Sequence, residues 1–527
     1  MSLRTTPLKA ARSIGLATLS SRILGLVRDQ VASYYFGAGA VMDSFFTAFR
    51  IPNLLRDLFA EGALSSAFVP TLTAERERHG EAEAWRLVNR VMSALIVILG
   101  VLTVLIFLFA PSIQRLYASG ASPEKLALTI TMTRIMAPFL LFVALAAAAM
   151  GTLNTRGRFF LPALAPASFN VAVIVAVVAL YPAARSAGLN PGLALAVGAI
   201  VGGALQLLVQ VPALRREGFR FRFDLAPADP GLRRVATLMA PATFGLAATQ
   251  INILVDTALA NRMGDGPVAW LQFGFRLMQL PLGLFGVAIG MANLAFVSRD
   301  VARSDSEGLR KNLAGSLRAA ALLTLPATAG LIVLCEPIVR VIFEHGAFTA
   351  SDTLQTAAAV ACYGVGLYAY SVTKIQVPTF YALGETRLPV IASATAVAVK
   401  IAASFALIAF LPSIGLRPFL GLALSTSLAA WINFAMLSWG LKMRVGSLRG
   451  HGVVSMTIKV AVLAGVMAAA CRGSAAVIGH VWGGGGLLGE IVRLVTVIAL
   501  GVAIVYAGAR AMGIREMDGL LARIKSR

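Results

Sequence analysis

Apolar segments of about 20 residues recur along the chain between short polar breaks, and no other feature constrains the fold as strongly. An α-helix of about 20 residues crosses a hydrocarbon core of about 30 Å and satisfies its own backbone polar groups there. With 58% hydrophobic and 13% charged residues, a soluble protein of 527 residues would expose large apolar patches. The sequence therefore predicts an all-α, polytopic integral membrane protein.

Fourteen transmembrane helices are predicted. They cover 14–36, 42–73, 88–110, 127–153, 160–182, 188–213, 233–262, 267–298, 313–335, 353–382, 388–411, 418–441, 453–472 and 487–510. The second, seventh and eighth are long enough to tilt or bend, and Pro52, Pro241 and Pro281 are the expected kink points.

Lys and Arg concentrate in every second break, although the formal net charge of +22 could also suggest nucleic-acid binding. The basic breaks are 74–90, 154–158, 214–234, 299–318, 442–449 and the C-terminal tail. Cytoplasmic loops carry such an excess of Lys and Arg, so both termini are expected in the cytoplasm. The charge is thereby explained without a nucleic-acid partner.

An internal repeat is indicated by landmarks that recur in the same order at a nearly constant shift. The pairs include Asp29 with Asp256, Gly62 with Gly290, Gly120 with Gly346, Gly157 with Gly384 and Gly192 with Gly421. Two parallel six-helix repeats around a central cavity suit a transporter that works by alternating access. The predicted domains are an N-lobe (1–230), a C-lobe (231–445), and two extra helices with a basic cytoplasmic tail (446–527).

Charged residues interrupt the first two predicted helices, where each costs on the order of 3 kcal/mol at the bilayer centre. They are Arg22, Arg28, Asp29, Asp43, Arg50, Arg56, Asp57 and Glu61. A spacing of seven puts Asp43, Arg50 and Asp57 on one helix face, and Arg22 shares a face with Asp29. Two interpretations stay open: ion pairs that lock the helices together, or a basic lining for an anionic substrate.

The second repeat carries fewer charges within its helices, mainly Asp256, Arg276, Lys374 and Lys400. Arg276 is expected to face the arginines of the first lobe across the cavity. Asp256 and Lys400 are expected to form a pair, either structural or involved in ion coupling, because an isolated buried charge is costly.

No enzyme, cofactor or metal site is predicted. The histidines show no metal-ligand spacing, and the distant Cys335, Cys362 and Cys471 indicate neither a disulfide framework nor zinc. A membrane-embedded transferase would need an acid/base or metal set at the membrane surface, which is not found. The basic N-terminus precedes an apolar run without a convincing cleavage site, so the first helix is expected to be retained.

Several motifs between Ser21 and Pro70 match a known family. They are Ser21-Arg22-x-x-Gly25-x-x-Arg28-Asp29, Phe36-Gly37-Ala38-Gly39, Asp43-x-Phe45-Phe46, Pro52-Asn53-Leu54-Leu55-Arg56 and Phe59-Ala60-Glu61-Gly62-Ala63. The chain resembles the MurJ/MviN lipid II flippases of the multidrug/oligosaccharidyl-lipid/polysaccharide exporter superfamily. The similarity continues through Leu153-Asn154-Thr155, Arg276-Leu277 and Gly346-x-Phe348-Thr349.

The resemblance implies a flippase in the bacterial cytoplasmic (inner) membrane. Its substrate would be undecaprenyl-pyrophosphate-linked disaccharide-pentapeptide, moved from the inner to the outer leaflet for peptidoglycan synthesis. By motif position, the family's cavity residues correspond to Arg22, Arg28, Asp43, Arg56 and Arg276, with the arginines meeting the pyrophosphate. The predicted substrate-binding set also includes Arg50 and Glu61. The last two helices would hold the lipid tail, and a monomer is expected.

The chain also departs from the family pattern. Phe275 and Gln279 stand where many relatives have acidic residues, and Lys400 lies near the position of a sodium ligand of some members. We hypothesise that the Lys400 ammonium replaces that ion beside Asp256. A sodium or proton gradient and the membrane potential both stay open as energy sources. The alternatives are a drug or organic-cation antiporter, which the surplus of arginines disfavours, and a flippase for another polyprenyl-linked glycan.

Overall fold

The computed structural model describes residues 7–57, 63–481, 486–514 and 516. Side-chain surroundings are described for the same residues except 7–14, 16, 18–19, 63, 241–249, 449 and 479–481. Within these ranges the chain is helical and contains no β-strand, because its long apolar runs satisfy their backbone groups internally.

Nineteen α-helices are found in the described ranges. They are α1 (Pro7–Phe36), α2 (Ala40–Arg56), α3 (Ala63–Tyr117), α4 (Pro123–Met136), α5 (Phe139–Thr155), α6 (Phe160–Ser186), α7 (Leu193–Leu208), α8 (Val211–Arg216), α9 (Pro230–Asn261), α10 (Pro267–Pro281), α11 (Ala288–Ala302), α12 (Ser306–Val333), α13 (Cys335–Phe343), α14 (Ala350–Gly364), α15 (Leu367–Ala382), α16 (Arg387–Phe410), α17 (Leu420–Val445), α18 (Val453–Val481) and α19 (Gly486–Ala511).

Ten helical segments of the described chain are long and apolar enough to cross a membrane. The outer face of α3 shows why, because Ile98, Leu105 and Leu108 are 59%, 43% and 60% exposed in the isolated chain. Such a surface is stable only against lipid or another apolar partner. The predicted all-α, polytopic class is confirmed, and the number of fourteen spans stays a prediction.

The structure divides two of the predicted spans. The span predicted at 42–73 comprises α2, which ends at Arg56, and the beginning of α3 at Ala63. The span predicted at 127–153 is split between α4 and α5 at Pro138, whose missing N–H interrupts the ladder of helical hydrogen bonds. The kink expected at Pro281 coincides with a π-helical turn over Leu282–Val287, whereas α2 continues through Pro52 and α9 through Pro241.

The basic break at 74–90 is helical on both sides of Gly80, where φ is 86° and ψ is −178°. Its charged residues are good helix formers, and Glu83 pairs with Arg86 one turn later. Helix α3 therefore extends well beyond the apolar run predicted at 88–110.

The contacts within the chain define two compact units. Unit 1 comprises Met1–Ala269 and His345–Phe348, and unit 2 comprises Trp270–Glu344 and Thr349–Arg527. Unit 1 therefore includes α9, the first helix of the second repeat. The lobe boundaries at 230 and 445 follow the sequence repeat and stay a prediction.

Each unit has its own apolar core. In unit 1, Phe68, Leu99 and Phe139 are buried between α3 and α5. In unit 2, Val372 and Phe380 of α15 pack with α12 and α17, while Met467 and Cys471 of α18 join α19 in a second cluster. Because lipid tails are as apolar as these side chains, the cores are stabilised mainly by close van der Waals packing between the helices.

The internal repeat is present in the helix boundaries as well as in the sequence. Four helix starts recur at one and the same shift: Ala40 and Pro267, Pro123 and Ala350, Phe160 and Arg387, Leu193 and Leu420. Loop glycines with positive φ recur at nearly that shift: Gly37 and Gly264, Gly120 and Gly346, Gly157 and Gly384, Gly188 and Gly415. The two repeats therefore share local structure as well as residue type.

Two loops that contain glycines pack closely against helix ends in unit 1. The Ala347 N–H donates to the Tyr34 carbonyl at 2.8 Å near the end of α1, and a Cβ on Gly346 would lie 2.3 Å from that same oxygen. In the equivalent place, a Cβ on Gly120 would lie 3.1 Å from the Arg262 Cα, just after α9. A loop of each repeat thus packs against the first helix of the other.

Gly346→Ala tests this close contact, with Gly384→Ala as a matched control. Both glycines have positive φ (62° and 72°), but a Cβ on Gly384 meets nothing within 4 Å. We expect Gly384→Ala to cost about 1 kcal/mol from backbone strain and Gly346→Ala about 1–3 kcal/mol more from the clash. Thermal unfolding of the purified variants in detergent measures the difference. Equal melting temperatures would contradict the contact.

Candidate functional site

The carboxylate of Asp43, in the first turn of α2, is fully buried and is held by donors from elsewhere in unit 1. Its Oδ2 accepts from the Lys125 Nζ at 2.7 Å and from the Gly266 N–H at 2.8 Å, and its Oδ1 accepts from the Ala269 N–H at 2.8 Å. The two backbone donors open helix α10, where the helix dipole also favours a negative charge. Asp43 therefore joins α2, α4 and the segment that starts α10.

Lys125 is the cationic partner of Asp43 and is only 3% exposed. Besides Asp43, its ammonium contacts the Asp265 carboxylate at 3.1 Å and donates to the Gly264 carbonyl at 3.1 Å. All three N–H groups of the ammonium thus have an acceptor, which a buried charge requires. One helical turn beyond Asp43, the Asn261 Nδ2 donates to the Thr47 Oγ1 at 3.1 Å and extends the buried network.

The repeat places a different pair at the equivalent positions of unit 2. By the shift that relates Ala40 to Pro267, Asp43 corresponds to Trp270 and Lys125 to Asp352. The Trp270 indole Nε1 donates to the Asp352 Oδ1 at 2.9 Å. The contact between these two helices is therefore kept in both repeats, but the ion pair is found in the first alone.

Arg28 of α1 is held by its neighbour Asp29 and by α6. Its Nε and Nη2 donate to the Asp29 Oδ1 at 3.0 and 2.6 Å, and its Nη1 donates to the Asn170 Oδ1 at 3.2 Å. The amide of Asn170 is itself fixed by the Ser21 carbonyl at 3.1 Å. The Asp29 carboxylate thus pairs with Arg28, although the sequence spacing placed Asp29 on the face of Arg22.

Arg56 repeats this arrangement at the end of α2. Its Nε and Nη2 donate to the Asp57 Oδ1 at 3.1 and 2.8 Å, and the Gln250 Nε2 of α9 donates to the Asp57 Oδ2 at 3.0 Å. Both guanidinium groups therefore use one edge for the adjacent carboxylate, while a neutral amide of another helix fixes the cluster.

Arg50 lies on the predicted stripe of α2, two turns before Asp57. The Tyr117 hydroxyl, at the end of α3, lies near the side chains of Arg50, Thr257 and Asp256. Arg50 and Asp256 thus share a polar neighbourhood in unit 1 with Tyr117.

The remaining predicted residues are placed as follows. Arg22 is exposed in α1, Arg276 is half-buried in α10, and Lys400 is 2% exposed in α16. Glu61 lies outside the described residues. The structure brings Arg28, Arg50, Arg56 and Asp43 into polar clusters of unit 1. The predicted approach of Arg276 to these arginines and the Asp256–Lys400 pair stay predictions.

Several residues of these clusters were not predicted from the sequence. Lys125, Asn170 and Gln250 supply contacts over separations of 82, 142 and 193 residues. For Lys125 a signal existed, because it is a lone lysine next to an apolar run. Nothing local identifies Asn170 or Gln250. In the described part of the chain, no group of three or more His, Cys, Asp or Glu side chains is placed to hold a metal ion.

A helical fold with charged clusters inside its apolar helices is typical of polytopic membrane transporters. A solved structure of an inward-facing multidrug resistance MATE family transporter of the MOP superfamily shares this fold, with a TM-score of 0.64, 17% identity, and coverage of 82% of this chain and 99% of that one. At this identity the likeness concerns the fold alone.

The more specific matches agree with one another. The model of the family described as lipid II flippase MurJ matches residues 32–493. The lipid II flippase MurJ of Burkholderia cenocepacia is 37% identical over 83% of this chain and 84% of its own length, and the probable lipid II flippase MurJ of Vibrio cholerae is 33% identical over 97% of both. A solved structure of lipid II flippase MurJ in an inward closed conformation has a TM-score of 0.76 at 26% identity, covering 95% of this chain and 99% of that one. The chain belongs to the lipid II flippase MurJ family, as its motifs indicated.

Lys125→Met tests how much the Asp43 cluster contributes to the stability of the fold. Removal of the ammonium leaves a buried carboxylate with two backbone donors, so we expect a loss of about 3–5 kcal/mol in the free energy of unfolding. The double variant Asp43→Asn/Lys125→Met should lose less than Lys125→Met alone. Arg158→Met is the control, because Arg158 is 68% exposed in its ion pair with Glu217. Loss of this surface pair should cost under about 1 kcal/mol. Thermal unfolding in detergent measures the difference. Equal melting temperatures for Lys125→Met and Arg158→Met would contradict a stabilising role of the Asp43 cluster.

Proposed function

We propose that this protein moves lipid II, the undecaprenyl-pyrophosphate-linked disaccharide-pentapeptide, from the inner to the outer leaflet of the bacterial inner membrane by alternating access. Membership of the MurJ family supports the substrate class. The observation that carries the proposal is the pair of arginine clusters within the first two helices, at Arg28 and Arg56. Such charges are expensive in a membrane and are retained where a substrate passes.

The geometry of the two clusters suits a pyrophosphate. In each, the Nε and Nη2 edge of the guanidinium faces the adjacent carboxylate, which compensates the charge before substrate arrives. A phosphate can bind Arg28 through its Nη1 side, where the Asn170 oxygen that accepts at 3.2 Å is neutral and exchangeable. Guanidinium groups bind phosphate oxygens in pairs and stay charged when desolvated. Arg22 lies exposed two turns before Arg28 and would add a third cation.

Asp43 has a different proposed role. Its carboxylate is saturated by Lys125 and two backbone N–H groups, so a substrate would have to displace one of them to bind it. We assign Asp43 to holding α2, α4 and the start of α10 in one conformation. Breakage of these bonds would then accompany the transition to the other state.

The charge balance separates the proposal from its alternatives. An organic-cation antiporter needs uncompensated carboxylates, whereas Asp29, Asp43 and Asp57 each have a cationic partner. A flippase for another polyprenyl-linked glycan would use the same pyrophosphate chemistry and is separated by the transport experiment below.

The orientation and the energy source complete the proposal. The basic breaks support a cytoplasmic position for both termini. Charged groups that move in the membrane field gain about 2.3 kcal/mol per charge per 100 mV, so the membrane potential can drive the cycle, and a sodium or proton gradient is the other candidate. The substrate path needs no metal or organic cofactor, and the protein would work as a monomer.

Rescue of bacteria depleted of their own lipid II flippase tests the function. We expect the wild type to restore growth, and Arg28→Ala and Arg276→Ala to fail, because loss of a charge-assisted phosphate contact weakens binding by about 30-fold or more. Arg185→Ala, at an exposed arginine at the end of α6, is the control and should rescue fully. Immunoblots of membranes confirm equal expression of each protein.

Each outcome bears on a separate part of the proposal. Failure of an expressed wild type to rescue would indicate another lipid-linked glycan. Full rescue by Arg28→Ala and Arg276→Ala would contradict the arginine assignment. Partial recovery by Arg28→Lys would support a charge contact, since lysine keeps the charge and loses the planar fork.

Substitution of Asp256 tests whether sodium drives transport. If the Lys400 ammonium and the neighbouring Arg50 balance this carboxylate, lipid II transport in vesicles should be the same in sodium and in potassium buffers. Asp256→Asn should then reduce transport equally in both, because it removes a charge and not an ion site. Sodium-dependent transport that Asp256→Ala abolishes would count against the hypothesis.

A further inference from the structure

Unit 1 contains a cavity of about 720 Å³ outside the arginine clusters of α1 and α2. Helices α3, α5, α7 and α8 form its walls together with the chain that follows α8. The lining residues are Met92, Ile96, Leu145, Leu207, Val211, Leu214, Arg215, Phe219, Arg220 and Phe221. A volume of this size lies within the range of about 300–1,000 Å³ that is typical of ligand sites.

The lining combines an apolar interior with two cations. Arg215 and Arg220 are exposed, and within the described residues neither forms an ion pair. Two other arginines use the nearby acidic residues: Arg90 pairs with Asp224 and Asp229 at 3.1 and 2.5 Å, and Arg158 pairs with Glu217 at 2.9 Å. The acidic residues nearby are thus already used, and the positive charge at the cavity is uncompensated.

The wall formed by residues 219–224 is fixed on α3. The Arg222 N–H donates to the Asn89 Oδ1 at 2.9 Å, and the Asp224 N–H donates to the Ser93 Oγ at 3.0 Å. The Phe219 ring also packs on Trp85, with ring centroids 5.4 Å apart. The cavity is therefore built by ordered contacts.

The same segment carries features of a membrane interface. Phe221 and Phe223 are 49% and 59% exposed, and Arg220 and Arg222 alternate with them. Exposed aromatic side chains next to arginines are stable where an apolar layer meets charged head groups. A cavity bounded by this segment therefore suits the depth at which lipid head groups lie.

We propose that this cavity binds an anionic phospholipid, with an acyl chain between Leu145 and Leu207 and the phosphate at Arg215 and Arg220. Basic pockets between transmembrane helices at the cytoplasmic side suit such head groups. The apolar walls favour a lipid over a soluble phosphate, because inorganic ions leave that surface uncovered. The site lies in helices that carry none of the predicted substrate-binding residues.

Binding of phosphatidylglycerol to the purified full-length protein tests the proposal by native mass spectrometry, with phosphatidylcholine of the same acyl chains as the neutral lipid. Arg215→Gln/Arg220→Gln should weaken phosphatidylglycerol binding roughly 10- to 30-fold. Arg216→Gln/Arg222→Gln removes the same charge from exposed arginines of the same break that do not line the cavity, and should change binding less than about twofold.

A second pair of variants probes the acyl chain without any change of charge. Leu207→Trp fills the cavity and should weaken phosphatidylglycerol binding, whereas Leu208→Trp, at the neighbouring 56% exposed residue, should not. Equal losses from the two arginine pairs, or equal binding of phosphatidylcholine, would overturn the proposal. Displacement of the lipid by glycerol phosphate alone would also overturn it, because the site would then be one for soluble phosphate.

Discussion

The buried ion pair of Asp43 and Lys125 is the interaction on which unit 1 depends. A carboxylate removed from water costs several kcal/mol, and here that cost is offset by an ammonium and two backbone N–H groups. These donors come from regions of the sequence that lie up to 226 residues from Asp43. A single carboxylate therefore fixes three separate segments, and removal of any donor leaves a charge that the others must carry.

Both repeats join the same two helices through a polar contact, but the groups that form the contact differ. The Trp270–Asp352 hydrogen bond occupies the equivalent place in unit 2 and joins a neutral donor to a carboxylate. A similar difference holds along the first two helices of each repeat, since Arg28 and Arg56 correspond to Val255 and Gly283, although Asp256 matches Asp29. Two copies of one helical plan can thus differ in charge, with the arginine–aspartate clusters and the buried ion pair in the first copy. A lipid with a charged head and a long apolar tail is itself asymmetric in this way.

Much of the fold was predictable because it rests on local patterns. Apolar runs of helical length define membrane segments, and the recurrence of the same landmarks at one shift reveals the repeat before any contact is known. The arginines stood out because charge within such runs is rare. Pairing was harder to predict: Asp29 binds the adjacent Arg28, whereas helical periodicity favoured Arg22.

The contacts that hold the clusters were beyond the reach of the sequence. Lys125 lies at the start of α4 and reads as a loop lysine until the chain folds and buries it. The helix that continues around Gly80 was also missed, because a polar, charged segment between apolar runs resembles a loop even where helix propensity is high. For Lys125 the partners Asp43 and Gly264 are distant in sequence, so no local pattern identifies them.

The composition of unit 1 has a consequence for biosynthesis. Its first helix is covered at Tyr34 and Gly37 by residues 345–348, which belong to the second repeat. Ribosomes add residues from the N-terminus onwards, so the membrane receives α1 long before that covering loop exists. Unit 1 is thus completed only after helices α9 to α13 have been translated. Unit 1 therefore cannot finish folding in the bilayer until residues 345–348 have been synthesised.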